Sequence, residues 1–230
     1  MRFMFFVYPA LSATLEERKR MRPIARHTEP WQKMFEEVAE LSRMAEDLGF
    51  EAVTFPEHHL HTEGAEMGSL PVLTQYVINQ TKRIKVGPIG YVLPGWNPLR
   101  LALEIAWLDQ LTKGRTFVGF ARGYQARWLN AMAQKVNIGA SAISTMQEDI
   151  DARNPNKQPL PSSECTTDRL EKAHFALVGT ASDIRREMDL LVETANPEWF
   201  IWQSDQGYLP LDQVKRMLQR FGKEILPHYV

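Results

Sequence analysis

Residues 92–124 read VLPGWNPLRLALEIAWLDQLTKGRTFVGFARGY, and the fold turns on how this stretch is divided. Asn97-Pro98 opens a helix, because the asparagine side chain accepts from a first-turn amide and proline lacks a donor where none is needed. Leu99, Ala102, Ile105, Ala106, Leu108 and Leu111 recur at helical spacing and are expected on the inward side. Gly114 closes the helix. The apolar run Thr116 to Phe120 reads as a buried strand, ending in Gly119-Phe120-Ala121-Arg122-Gly123-Tyr124. Helix, strand and glycine-bearing loop in that order make one step of parallel α/β organisation.

The same step recurs upstream. Phe3 to Tyr8 is an apolar run with the pattern of a strand covered on both faces, followed by a polar, Arg-rich connection over residues 9–29. From Pro30, the residues Trp31, Met34, Phe35, Val38, Leu41, Ala45 and Leu48 predict a helix stopped by Gly49. Ala52 to Phe55 is a short strand, Leu70 to Ile78 a helix, and Ile84 to Val86 a strand reaching toward Val92. An open doubly wound sheet and a barrel both satisfy this alternation, and periodicity does not choose between them.

Downstream the rhythm fails. Gln125 to Gln134 can be helical, but residues 137–166 are polar and rich in Ser, Asn, Pro and Asp, an unusual connection inside a compact domain. The pattern resumes near Ala176 to Val178. Thr180 and Asp183 form a capping box before a helix marked by Ile184, Met188, Leu191 and Val192. Trp199 to Trp202 reads as a final strand. Leu211, Val214, Met217, Leu218, Phe221 and Ile225 then share one face of a terminal helix ended by Pro227. About six strands are expected, fewer than the eight of a full barrel, in a single domain over residues 1–230.

Composition narrows the function classes. The chain has 230 residues, a net charge of -1 and one cysteine, Cys165. Its Lys and Arg are scattered, so a phosphate-tracking nucleic-acid surface is not expected. The group around Arg18-Lys19-Arg20 reads as a solvated loop. The apolar start is too short for a membrane span and lacks the layout of a signal peptide, so no membrane partner and a cytoplasmic location are expected.

Three strand ends hold residues with chemistry. Glu57-His58-His59 follows Ala52 to Phe55, where barrels and open sheets place functional groups. A histidine there moves protons near neutral pH, and a carboxylate beside it fixes its tautomer. The competing reading is a polar loop, and these three residues alone leave both open. His58, His59 and His61 lack the spacing of a metal site, so none is expected. At the second end Arg122 has the fork geometry for a phosphate, and Gly119 and Gly123 allow close backbone approach. At the third, Tyr91, Pro94 and Trp96 either wall a flat pocket or pack a turn. Trp31, Trp107, Trp199 and Trp202 read as core.

Taken in order, Glu57-His58-His59, the stretch 92–124, and the downstream stretches LVGTASDIRREMDLLV (177–192) and GYLPLDQVKRMLQRFGKEILPHYV (207–230) resemble the bacterial-luciferase-like, flavin-dependent monooxygenases. The resemblance covers residues 1–134 and 176–230. It implies a TIM-barrel-type (β/α) fold, incomplete or shortened in its second half, because the length missing relative to a typical member falls between Gln134 and Ala176. It also implies flavin mononucleotide (FMN), supplied reduced by a separate flavin reductase, or in some branches the deazaflavin F420. A small organic substrate and oxygen would be the reactants.

By the same resemblance His58 matches the family's catalytic histidine, with His59 and Glu57 beside it. Arg122 matches an arginine near the flavin phosphate, with Gly123, Tyr91 and Tyr124 around it. Ala121 stands where the luciferase large subunit has a reactive cysteine, which argues against light emission. A shortened barrel needs its open side covered, so a homodimer or heterodimer is expected. A non-catalytic flavin-binding protein, or a structural or regulatory subunit of a luciferase-like complex, is the alternative.

Overall fold

Strand β1 (Arg2–Phe6) lies at the centre of a parallel sheet, with β2 (Ala52–Phe55) on one side and β6 (Trp199–Gln203) on the other. The computed structural model describes residues 1–59, 67–123, 166, 177–204 and 209–230. Beyond β2 comes β3 (Lys85–Pro88), giving the order β3-β2-β1-β6. Past β3 the chain continues into β4 (Tyr91–Val92), which pairs in parallel with β5 (Phe120–Ala121). Residues leading into β5 also run beside β3: the Val86 amide donates to the Arg115 carbonyl at 2.9 Å, and the Gly119 amide to that of Pro88 at 2.9 Å.

The helices decide between barrel and doubly wound sheet. α2 (Thr28–Asp47), α3 (Leu70–Gln80), α4 (Pro98–Thr112) and α6 (Leu211–Arg220), the last preceded by α5 (Ala181–Ala195), contact one another in the sequence α6–α2–α3–α4. A doubly wound sheet sends its later helices to the opposite face. Here the last helix lies beside the first long one, as in a barrel's outer ring. Among the described residues the architecture is therefore a (β/α) barrel wall with fewer than eight strands.

Aromatic packing holds the first and last strands to that ring. Phe3 pairs in register with Phe200 and Phe5 with Trp202. The Phe5 and Trp202 rings stack with centroids 5.6 Å apart, and Trp202 stacks on Phe221 at 4.5 Å. Phe221 begins a π-turn (Phe221–Ile225) that continues α6. On the other face of β6, Ile201 is 45% exposed.

Short contacts position the strand ends. The Glu46 carboxylate, near the end of α2, accepts from the backbone amides of Lys82, Arg83 and Ile84. Arg115 gathers the carbonyls of Ile78, Thr81 and Ile84 and the Thr81 hydroxyl. The Gly114-Arg115 pair thus ties the end of α3 to the start of β3. Gly87 is required where it stands, because a Cβ there would meet the Phe117 carbonyl oxygen at 2.0 Å.

Several expectations are corrected. Residues 9–29 are not a plain polar connection. They contain α1 (Leu15–Arg20), started by a Thr14–Glu17 capping box, and a single 3₁₀ turn (Ile24–Arg26). The basic run Arg18-Lys19-Arg20 is thus the last turn of a helix, where cations oppose the helix dipole favourably. The strand toward Val92 is interrupted at Ile89-Gly90.

On α4 the buried residues are Leu101, Leu108 and Thr112. Leu99, Leu103, Trp107 and Leu111 are 71%, 54%, 70% and 63% exposed. The helix is apolar on nearly every side, so its spacing could not say which face turns inward. Trp107 is therefore not core. Phe120, expected in a buried strand, is 60% exposed, and among the described residues β5 has no second neighbour. The expectations for 125–134, for nearly all of 137–166, and for His61 and Cys165 lie outside the described residues.

Candidate active site at the strand ends

Pairing of the first two strands continues one residue past β1, where the Val7 amide donates to the Thr54 carbonyl at 2.8 Å. The next residues on the two strands, Tyr8 and Pro56-Glu57-His58-His59, therefore emerge side by side at the C-terminal edge of the wall. Glu57 is 4% exposed, and its carboxylate accepts from three directions. The Val92 amide donates at 2.5 Å, the Trp96 indole Nε1 at 2.9 Å, and the His59 ring nitrogen Nε2 lies at 2.7 Å.

The Val92 amide and the Trp96 indole can only donate, and the carboxylate accepts from both. Charge-assisted bonds of this kind are stronger than neutral ones. Removing the acceptor would strand two buried donors, the Val92 amide and His59, at about 1–3 kcal/mol each, and the half-buried Trp96 indole at less. Glu57 thereby joins the end of β2 to β4 and to the turn that precedes α4.

His58 sits between these locked neighbours and is only half-buried. Its carbonyl accepts from the Met67 amide at 2.9 Å. Its ring nitrogen Nδ1 lies 3.2 Å from the Tyr8 hydroxyl, with the two rings edge to face at 5.7 Å. Of the expected trio, His58 is half-buried while Glu57 and His59 are buried.

The remaining expected residues divide. Arg122 is exposed just past β5, and Ala121 and Gly123 are half-buried. Gly123 has φ +77°, a conformation glycine adopts without strain. Tyr91 is 1% exposed and belongs to the same core as Leu70 and Leu101, so it packs the layer behind the strand ends. Among the described residues its hydroxyl has no hydrogen-bond partner. Burial, then the carboxylates of Glu104 and Glu57, push its phenol above the usual range. Tyr124 lies outside the described residues.

Sequence reading missed Tyr8 and gave Trp96 only a wall or packing role. Tyr8 is 50 residues from His58, and Trp96 is 39 from Glu57, so no local spacing announces either contact. The ends of β2 and β5 are separated by β3, and at the usual strand spacing of about 4.8 Å this amounts to roughly 10 Å of wall. Two clefts of about 690 Å³ open elsewhere, one at the start of α2 and α6 and one between α3 and α4. Neither is lined by Glu57, His58 or Arg122.

Residues 1–137 match the family described as luciferase-like monooxygenase. The chain belongs to that family. An alkanal monooxygenase alpha chain of Photorhabdus luminescens is 38% identical over 86 residues, covering 37% of this chain and 24% of the relative. A beta chain from the same organism is 30% identical over 82 residues, covering 36% and 25%. The match thus spans about a quarter of these relatives' length. The crystal structure of monooxygenase RslO1 from Streptomyces bottropensis superposes with a TM-score of 0.74 at 16% identity, covering 100% of both chains. That likeness establishes the fold: a luciferase-like member of the TIM-barrel group at this reduced size. Among the described residues no helix is long and apolar enough to cross a membrane.

Proposed function

We propose that this chain is a flavin-dependent oxidoreductase of monooxygenase type, oxygenating a small organic substrate with reduced FMN delivered by a separate reductase. The observation that carries the reading is His58 held half-exposed at a strand end whose flanking residues are locked, in a chain of this family.

The donor set suits a phosphate-bearing aromatic cofactor. Arg122 offers a bidentate fork for phosphate, and the backbone at Gly123 lets the ligand approach closely. A flat ring with a phosphate tail would be held between these strand ends, with Arg122 at the phosphate and His58 at the ring. Reduced flavin, when bound, supplies the two electrons with which dioxygen gives one atom to substrate and releases the other as water. His58 holds and moves a proton at the mouth. Glu57 and His59 serve as positioning residues, because both are buried and the Glu57 carboxylate is committed to His59, Val92 and Trp96.

A second copy of the chain covers the outer face of α3 and α4. Val72, Leu99, Leu103, Trp107 and Leu111 are each 54–71% exposed. Together they leave on the order of 600 Å² of apolar surface, the upper end for a monomer's largest patch and most of the about 800 Å² that a standard interface takes from each partner. Sedimentation velocity should give a dimer, and Trp107→Glu should yield monomers. A monomeric wild type would defeat this assignment.

The cofactor reading is tested by calorimetric titration with oxidised FMN, and with reduced FMN and F420 under anaerobic conditions, followed by oxygen uptake with a reductase present. Saturable FMN binding with substrate-dependent oxygen uptake supports the monooxygenase, and His58→Ala should slow uptake at least about tenfold. Binding without turnover would leave a flavin carrier. A folded dimer that binds no flavin would sink both readings.

A further inference from the structure

We propose that Tyr8 is a positioning residue that fixes the tautomer of His58, donating its hydroxyl proton to Nδ1 so that His58 presents an Nε2–H donor. The role this gives His58 in proton handling rests on the monooxygenase reading. The tautomer itself does not.

Both partners are set by the backbone before the side chains meet. Tyr8 precedes Pro9, which restricts it to extended conformations. The Val7 amide bond to Thr54 fixes the chain one residue earlier, and Pro9, Ala10 and Leu11 behind it are all buried. On the facing strand end, Glu57 and His59 are bonded to each other and the His58 carbonyl is held by Met67. The two side chains are left facing each other, hydroxyl to Nδ1 at 3.2 Å.

A phenol can donate or accept, but its acidity makes donation to a neutral imidazole nitrogen the stronger arrangement. With the Nδ1 lone pair occupied, the ring proton must reside on Nε2, the nitrogen turned away from Tyr8. Which nitrogen of a histidine carries the proton follows from the bond that the other one makes. In that tautomer His58 donates from Nε2 and accepts at Nδ1. Tyr8 takes no part in the chemistry beyond holding that state.

The test is ¹⁵N NMR of histidine-labelled protein without flavin, with His58 assigned by its loss in His58→Asn, read above its titration range. The expected wild-type spectrum shows neutral His58 as the Nε2–H form. In Tyr8→Phe, which keeps the ring contact and removes only the hydroxyl, the ratio of Nδ1–H to Nε2–H should rise about threefold to tenfold, the equivalent of one hydrogen bond. A wild-type His58 protonated on Nδ1 overturns the proposal without any variant. An unchanged ratio in a folded Tyr8→Phe also overturns it. Because the measurement uses no flavin, its failure is separate from failure of the monooxygenase reading. If turnover is present, Tyr8→Phe should lower kcat with KM nearly unchanged.

Discussion

The ends of β2 and β5 are built in opposite ways. At β2 the carboxylate of Glu57 is buried and carries bonds from Val92, Trp96 and His59. At β5 Arg122 stands exposed beside Gly123, at the margin of the described wall. One end is organised by the protein alone. The other offers charge and an adaptable backbone, which suits a ligand more than a fold. Stability should therefore reside at the first and affinity at the second.

The largest expected effect breaks the β2 end. Glu57→Ala should lower unfolding free energy by about 3–5 kcal/mol, since it leaves buried donors unpaired, and the loss should appear as a drop in denaturant midpoint with unchanged m. Arg122→Ala should cost no more than about 1 kcal/mol of stability, the worth of an exposed ion pair, yet weaken FMN binding at least about tenfold, the loss of a charge-assisted bond. If the two variants exchanged these phenotypes, the contrast between the ends would be wrong. Trp96→Phe removes one of Glu57's donors while keeping most of the ring, and should cost about 1–2 kcal/mol by the same denaturation assay.

The smallest effect concerns Glu46, which anchors the start of β3 as Glu57 anchors β4. Burial pushes this carboxyl up, but the backbone amides of Ile84, Arg83 and Lys82 outweigh it and hold it below its ordinary 4.5. A lowered folded-state value means that Glu46 contributes stability above its unfolded value and loses it as pH falls through the folded one. Glu46→Gln should therefore flatten the acid side of the stability profile below about pH 4.5, measured by urea titration between pH 3 and 7. A wild-type acid slope retained in the variant would assign the acid sensitivity to other carboxylates.

Much of the wall was legible because local chemistry wrote it. The strand Ala52–Phe55 and the Thr180–Asp183 capping box stand where the sequence puts them, since alternation and caps are short-range signals. The place of Glu57-His58-His59 followed from the strand before it. The division of labour within that trio did not, because Trp96 and Tyr8 reach it from distant segments. The orientation of α4 was hidden for a different reason. A helix apolar on both faces has two surfaces to bury, and its own sequence names neither partner. Phe120 was misread because a run of apolar residues records affinity for a covered site and says nothing about whether a neighbouring strand is there.

The place of β1 between β2 and β6 also bears on how the chain reaches its native state. Arg2 to Phe6 can zip against Met4's partner Ala52 and its neighbours early, but the other edge must wait for Trp199 to Gln203. During synthesis Phe3 and Phe5 remain without Phe200 and Trp202 until the long intervening stretch has been made. Pairings between segments so distant along the chain close slowly, and a half-covered aromatic edge is a surface that other nascent chains can join. Yield in the cell should then depend on how this first strand is shielded while it waits, a demand on chaperones that the finished fold no longer displays.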